Sequence, residues 1–404
     1  MTPPRYLPAL LVLTLIGTVI EIDMSVPSFP DIAQDLGAAG PSVQLTITCN
    51  FIGYCLGALV HGPLSDRFGR RKVMLVGNTV MLAGALGCAV APDIAFLLVS
   101  RLVQGVGAST SVVLVFVIID DVYRGARRFR MLGLTNAAMS VCMTAAPALG
   151  GLVNRTVGWR GNYATVFGIT LVSLLLMTFL LPETKGEPAQ VTVKQVASDY
   201  GKLLSSKGFL VASLVPSLLF AAYMVFIAAG SFLYTGAFGL TPVGFAGHLL
   251  IIVTSFAVTS LFAARLISVL GGPERTVALG IVATVVGTGL FLVAGWGPWP
   301  TTGSLALFCV GFAALYPVVF GRSMGRYPEL QGAAASLTMS GRALLVALFT
   351  GVAGRLFTGN FSVTAGVMAV AVALAALLAL VKTGPDRART AAEGTPAEAA
   401  AEAD

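Results

Sequence analysis

Charge is scarce in this chain. Only 11% of its 404 residues are Asp, Glu, Lys or Arg, against about a quarter in an ordinary soluble domain. Histidine is scarcer, with 2 in the whole sequence, at His61 and His248. No His/Asp/Glu cluster, nucleophile motif or phosphate loop sits beside an apolar run, so a membrane enzyme is not expected. The 5 cysteines (Cys49, Cys55, Cys88, Cys142, Cys309) fall within apolar runs and show no metal-ligand spacing. They read as packing residues, and neither metal nor cofactor is expected. The first apolar run lacks a small-residue cleavage site and continues to about Pro27, so it is expected to be a retained helix and not a signal peptide. The formal net charge of +7 does not imply a nucleic-acid partner. In a membrane protein, basic residues mark cytoplasmic loops.

What is abundant is apolar sequence, 56% of the chain. Runs of about 20 residues recur, each long enough to cross a ~30 Å hydrocarbon core. The expected class is an all-α polytopic membrane protein with spans at 7–28, 42–62, 73–91, 94–119, 131–153, 162–182, 208–232, 244–264, 275–295, 300–321, 331–353 and 361–382. Alternate loops collect the basic residues: Arg67, Arg70, Arg71 and Lys72, then Arg124, Arg127, Arg128 and Arg130, then Lys185, Lys194, Lys202 and Lys207. Arg5, Arg265, Arg275, Arg322, Arg326, Lys382, Arg387 and Arg389 fall on the same side, whereas the opposite loops hold Arg155, Arg160 and Arg355. That asymmetry places both termini in the cytoplasm. The longest polar stretch between spans divides the chain into a bundle at 1–182, a linker at 183–207 and a second bundle at 208–382, followed by a tail at 383–404 expected to be disordered. The loop "GPLSDRFGRRKV" after the second span is faintly echoed by "ARLISVLGGPERTV" after the eighth. Two related six-helix halves around a midplane site form a transporter pattern.

"GPLSDRFGRRK", Gly62 to Lys72, is the most specific signal. Gly62 and Gly69 permit a tight turn. Asp66 can cap a nearby helix, and Arg67, Arg70 and Arg71 can bridge to acids on neighbouring helices. The loop resembles motif A of the major facilitator superfamily. "RLVQGVGAS" (Arg101 to Ser109) is similar to that superfamily's motif B. "AAPALGG" (Ala145 to Gly151) is similar to its antiporter motif C through Pro147, Gly150 and Gly151, with Ala146 in place of a glycine. "GWR" (Gly158 to Arg160) and "LPET" (Leu181 to Thr184) also look like this superfamily. Within it, "IDMSVPSFPDI", "VQLTIT" and "GPLSDRFGRR" resemble the Bcr/CflA group of drug–proton antiporters, most strongly over residues 20–185. The resemblance implies two six-helix bundles in which spans 1, 4, 7 and 10 line a cavity. It implies that Asp23 faces that cavity, and that Asp121 pairs with a motif A arginine, Arg70, as a gate latch. Two positions depart from the group: Glu21, where a small residue is usual, and Asp120, where an Arg is usual.

Charges inside spans cost about 2.5–3.5 kcal/mol each and seek a cavity or a partner. Asp23 lies about 7.5 Å from the outer end of span 1 and Arg101 about 10 Å from the outer end of span 4, at 1.5 Å per residue. The two are expected to meet, as a proton switch or as a static ion pair. Glu21 sits about 200° around the helix from Asp23. Helical spacing groups Glu21 with Thr14 and Gly17 and points it toward the cavity, whereas the family resemblance points Asp23 there. That conflict stays open in the sequence. Arg342 lies near the midplane of span 11, to meet an acid or an anionic substrate group. Asn50, Tyr54, Tyr223, Tyr234, His248 and Tyr316 are candidates for a polar-aromatic lining, and Pro216 and Pro317 can kink spans 7 and 10. The expected function is proton-coupled efflux of a small amphipathic compound across a bacterial inner membrane. The alternative is export of an endogenous metabolite, such as a carboxylate-bearing siderophore or a sugar. The expected partners are the substrate, protons and lipid, acting on a monomer.

Overall fold

Apolar segments of this length satisfy their backbone polar groups in lipid only as helices or closed barrels. The computed structural model resolves them as helices, and the described residues (4, 6–185, 192–293, 297–325, 330–359 and 361–381) contain no strand. Arg5, Arg326, Lys382, Arg387, Arg389, the tail at 383–404 and linker residues 186–191 lie outside them.

In order the helices are α1 (Leu7–Asp23), α2 (Phe29–Asp35), α3 (Gly40–Phe68), α4 (Arg70–Ala89), α5 (Ile94–Val122), α6 (Gly125–Val157) and α7 (Trp159–Leu180). A short helix α8 (Val193–Leu204) leads to α9 (Lys207–Ala237), α10 (Pro242–Leu261), α11 (Ala263–Val269), α12 (Pro273–Val293), α13 (Pro298–Gly325), α14 (Gln331–Leu356) and α15 (Phe361–Ala379). Among the described residues, 12 stretches are long and apolar enough to cross a membrane. They form two six-helix bundles, with α1 and α3–α7 in the first and α9, α10 and α12–α15 in the second.

The first span differs most from expectation. It runs from Leu7 to Asp35, not to 28, and it is broken. The α-helical ladder of α1 ends where Met24 N–H donates to Ile20 O, and tighter bonds take over from Ser25 to Ile22 O and from Ser28 to Ser25 O. Val26–Ser28 is a 3₁₀ turn, and α2 begins at Phe29. Pro27 and Pro30 have no N–H to carry the ladder on. Asp23 is therefore the last residue of α1, at a discontinuity of the kind that often marks a hinge.

The first bundle is assembled by backbone-to-backbone approach. Motif B places its glycines on opposite sides of α5. A Cβ on Gly105 would lie 1.9 Å from Asn50 O of α3, and one on Gly107 would lie 2.1 Å from Met81 N of α4. Small residues at such crossings bring helices close in the absence of a hydrophobic drive. Gly105→Ala must push α3 and α5 apart. It is expected to cost about 1–3 kcal/mol, the range for overpacking, read as a lowered unfolding temperature in detergent.

The bundles meet along two seams. Where α3 faces α14, Thr48 Oγ1 and Thr350 Oγ1 lie 2.9 Å apart, and Gly62 faces Ser336 toward the end bearing Arg70 and Arg71. Gly62 is thus an interior helix residue at a close contact, not part of a turn. Where α6 faces α10, Gly151 abuts Ala246. At the opposite end from Arg70, Ser231 Oγ donates to Pro27 O at 3.4 Å, and Phe29 meets Phe232. The linker is not bare chain. Tyr200 of α8 donates to Leu59 O of α3 at 3.0 Å, and Leu203 packs with Phe209 and Ala334. Burial pushes the Tyr200 phenol above its ordinary value, and Tyr200 and Leu203 together tie the linker to both bundles.

Candidate functional site

Arg101 is 0% exposed and makes its ion pair with Glu21, not with Asp23. Its Nη1 lies 3.7 Å from Glu21 Oε2 and donates to Gln104 Oε1 at 2.7 Å. Asn50 Nδ2 donates to Glu21 Oε1 at 3.3 Å and to Arg101 O at 3.4 Å. The guanidinium carbon lies 5.7 Å from the Tyr163 ring of α7. The physical reason for the corrected pairing is angular. Similar depth permits both acids to reach Arg101, but only the face of α1 carrying Glu21 turns toward α3 and α5. At 3.7 Å the pair is electrostatic and too long for a hydrogen bond, and Arg101 Nε and Nη2 have no hydrogen-bond partner among the described residues.

Asp23 is equally buried, at 2% exposure, and its Oδ1 has no hydrogen-bond partner among the described residues. It lies within electrostatic reach of Tyr223 on α9, whose buried hydroxyl also lacks a hydrogen-bond partner among those residues. One acid thus belongs to the interior of the first bundle and the other addresses the second.

Arg342 of α14 donates through Nη1 to Tyr316 Oη of α13 at 3.1 Å and through Nη2 to Met339 Sδ at 2.7 Å. Its Cζ lies 4.9 Å from the Phe220 ring of α9, and the Tyr54 phenol of α3 lies against it. Phe220 and Tyr223 also line a narrow cleft with Met143, Val253, Phe256 and Phe312. The cleft joins α6 of the first bundle to α9, α10 and α13 of the second.

Tyr234 and His248 are elsewhere. Tyr234 Oη and His248 Nδ1 each lie 2.8 Å from Thr302 Oγ1, among Phe238, Phe245 and Trp299. Tyr234 is 11 residues, about 16 Å, along α9 from Tyr223. These two sequence candidates are satisfied packing residues within the second bundle.

At the end carrying the basic turn, Arg70 Nε donates to Asp121 Oδ2 at 2.9 Å, Arg70 Nη1 to Ser65 Oγ at 2.6 Å, and Arg70 Nη2 lies 2.9 Å from Asp66 Oδ1. Lys185 Nζ also reaches Asp66 Oδ1 at 2.9 Å. Asp66 is therefore an ion-pair partner and not the helix cap. The cap is Glu183 of "LPET", which sequence reasoning passed over. Its carboxylate accepts from Arg70 N at 2.9 Å and Arg71 N at 3.2 Å, at the start of α4, where a negative group offsets the helix dipole. Gly69 has φ +95°, and a Cβ there would lie 2.4 Å from Glu183 Oε2. Arg71 Nη2 donates to Thr178 O at 2.7 Å, while Arg67 is exposed over Phe68. Asp120 takes a partner of its own, accepting from Arg128 at 2.6 and 3.0 Å.

Pro147 lies inside α6. One turn on, a Cβ at Gly150 would stand 2.0 Å from Met24 O. The motif C glycine thus rests on the break in span 1, next to Asp23.

Among the described residues, twelve helices long enough to span, in two bundles, form a transporter pattern. Comparison with known proteins makes the class specific. The model of the Major Facilitator Superfamily matches residues 11–350. The chain belongs to that superfamily. It is 28% identical over 321 residues to the multidrug resistance protein MdtL of Klebsiella pneumoniae, covering 78% of this chain and 80% of that protein. It is 25% identical over 325 residues to a bicyclomycin resistance protein homolog of Haemophilus influenzae, covering 80% and 82%. A Bacillus subtilis transporter of the same superfamily, YdgK, is 31% identical over 229 residues, covering 55% of this chain and 56% of that one. Among solved structures, a D-xylose–proton symporter superposes with a TM-score of 0.76 at 15% identity, covering 95% and 99%. The partially occluded inward-open xylose transporter XylE from E. coli gives 0.72 at 15%, covering 93% and 97%. The chain's family and relatives are transporters, not enzymes.

Proposed function

We propose that this protein is a proton-coupled antiporter that exports a small amphipathic, drug-like compound across the bacterial inner membrane by alternating access. The observation that carries the reading is Asp23. It is a buried carboxyl without a hydrogen-bond partner on Oδ1 among the described residues, placed at a helix break and facing the other bundle. Among the described residues it has no ion-pair partner, and an acid inside a span without one marks a proton or ion pathway. Motion of α1 against α9 would change its surroundings and exchange the proton. The Glu21–Arg101 pair holds the neighbouring turn, and the Arg70–Asp66–Asp121 cluster latches the basic end, which the positive-inside rule assigns to the cytoplasm together with both termini. The relatives named for multidrug and bicyclomycin resistance support a drug-like substrate. Arg342 favours a second reading, export of an endogenous metabolite bearing a carboxylate. The function requires no cofactor beyond the proton gradient, and the monomer is the working unit.

The test is efflux of a panel of antibiotics and dyes from cells lacking their own pumps, with and without a protonophore. Substrate accumulation is expected to rise to the level of non-expressing cells when the uncoupler is added. Export that persists undiminished would reject proton antiport.

A further inference from the structure

Arg342 is a guanidinium near mid-membrane, 11 residues and about 16 Å from the start of α14. Its acceptors are weak for a full positive charge: the phenol oxygens of Tyr316 and Tyr54, a thioether sulfur and a ring face. Among the described residues, no carboxylate lies within ion-pair distance of it. An uncompensated charge at this depth is costly and points to a ligand or a pathway. It does not snorkel, since its contacts come from α9 and α13 of its own bundle and from α3 across the seam. Tyr54, Phe220 and Tyr316 form an aromatic rim, and Phe220 continues into the cleft walled by Phe256 and Phe312.

Resting on the transporter reading above, we infer that Arg342 anchors the anionic group of the transported compound, an organic monocarboxylate whose apolar, aromatic body fills the adjoining cleft. The planar fork of an arginine accepts a carboxylate through two parallel N–H bonds. The Tyr316 hydroxyl and Met339 sulfur then act as placeholders that the carboxylate displaces. Phe220 and Tyr223 are three residues apart on α9, an axial step of about 4.5 Å. Arg342 abuts the first of these and Asp23 neighbours the second. Such a substrate carries negative charge toward Arg342 while Asp23 holds its proton, and the two acids are kept from sharing one cation.

The test uses the purified full-length protein in detergent, with no pH gradient. Matched carboxylate and primary amide pairs on naphthalene, biphenyl and quinoline bodies are titrated, and binding is read by thermal shift and by equilibrium dialysis. At least one carboxylate is expected to bind about tenfold or more tightly than its amide, the size of one charge-assisted hydrogen bond. Arg342→Gln should erase the preference. Arg342→Lys, which keeps the charge but not the fork, should retain part of it and serves if the glutamine variant does not fold. Absence of a carboxylate preference across all three bodies would overturn the proposal, as would a preference unchanged in both variants. Carboxylate binding through Arg342 alongside uncoupler-insensitive export would leave this inference standing and remove only the antiport reading. Uncoupler-sensitive export with no carboxylate preference would do the reverse.

Discussion

Arg101→Met is expected to destabilise the protein by about 3–5 kcal/mol and to abolish transport, because it strands Glu21 without its cation inside the first bundle. Arg101 is 0% exposed and Glu21 is 2% exposed. Neither can reach water to recover its solvation. Methionine fills much of the volume of the arginine stem, so the loss is electrostatic and not a cavity. The companion variant Glu21→Gln leaves Arg101 with Gln104 and an amide oxygen, and should cost less. The double variant replaces the pair by uncharged groups and should recover part of the loss, since removing both charges can be nearly neutral. A coupling energy of about 0.5–3 kcal/mol is the range for residues in contact. Scanning fluorimetry on the four proteins closes the cycle. Purely additive effects would mean that the 3.7 Å separation carries no interaction, and the pair would lose its place in the account.

The fold was legible because its signals are long. Apolar runs, alternating basic loops and the motif A turn each span many residues, and twelve spans follow from composition alone. The partners of single charges were not legible. Depth placed Asp23 near Arg101, yet Glu21, two residues away, lies at nearly the same depth. The choice between them depended on the rotation of α1, which two residues at 100° each reverse. The break after Asp23 was written in Pro27 and Pro30, but prolines also occur inside unbroken helices, as at Pro147, Pro216 and Pro317. Tyr234 and His248 looked like lining residues because a polar aromatic in an apolar helix has two uses. Only the Thr302 hydroxyl, 54 residues from His248 in sequence, distinguishes them. Glu183 was passed over because an acid beyond the end of a span reads as solvated. Its carboxylate instead serves a helix start 113 residues away, a contact set by how the span ends gather and not by any local pattern. Arg342 was visible from the start, as a charge with no excuse in its own helix.

Asp23→Asn is expected to collapse uphill export while leaving the folded protein intact. The amide has the shape of the protonated acid. It meets the same buried surroundings, where Oδ1 has no partner to lose among the described residues, so little change in unfolding temperature should follow. What it cannot do is release a proton. In proteoliposomes with an imposed pH gradient, accumulation of substrate against its own gradient should fall to the level of protein-free vesicles. Exchange of labelled for unlabelled substrate with no pH gradient should continue. A pH-sensitive dye trapped in the vesicles should report substrate-driven proton movement for the parent protein and none for the variant. Glu21→Gln separates the two acids: its effect should appear in stability and in the rate of exchange, with the stoichiometry of proton movement unchanged. If Asp23→Asn transports with its full dependence on pH, the proton travels elsewhere. Glu21, released from Arg101 as the bundles rock, would then be the carboxyl to test next.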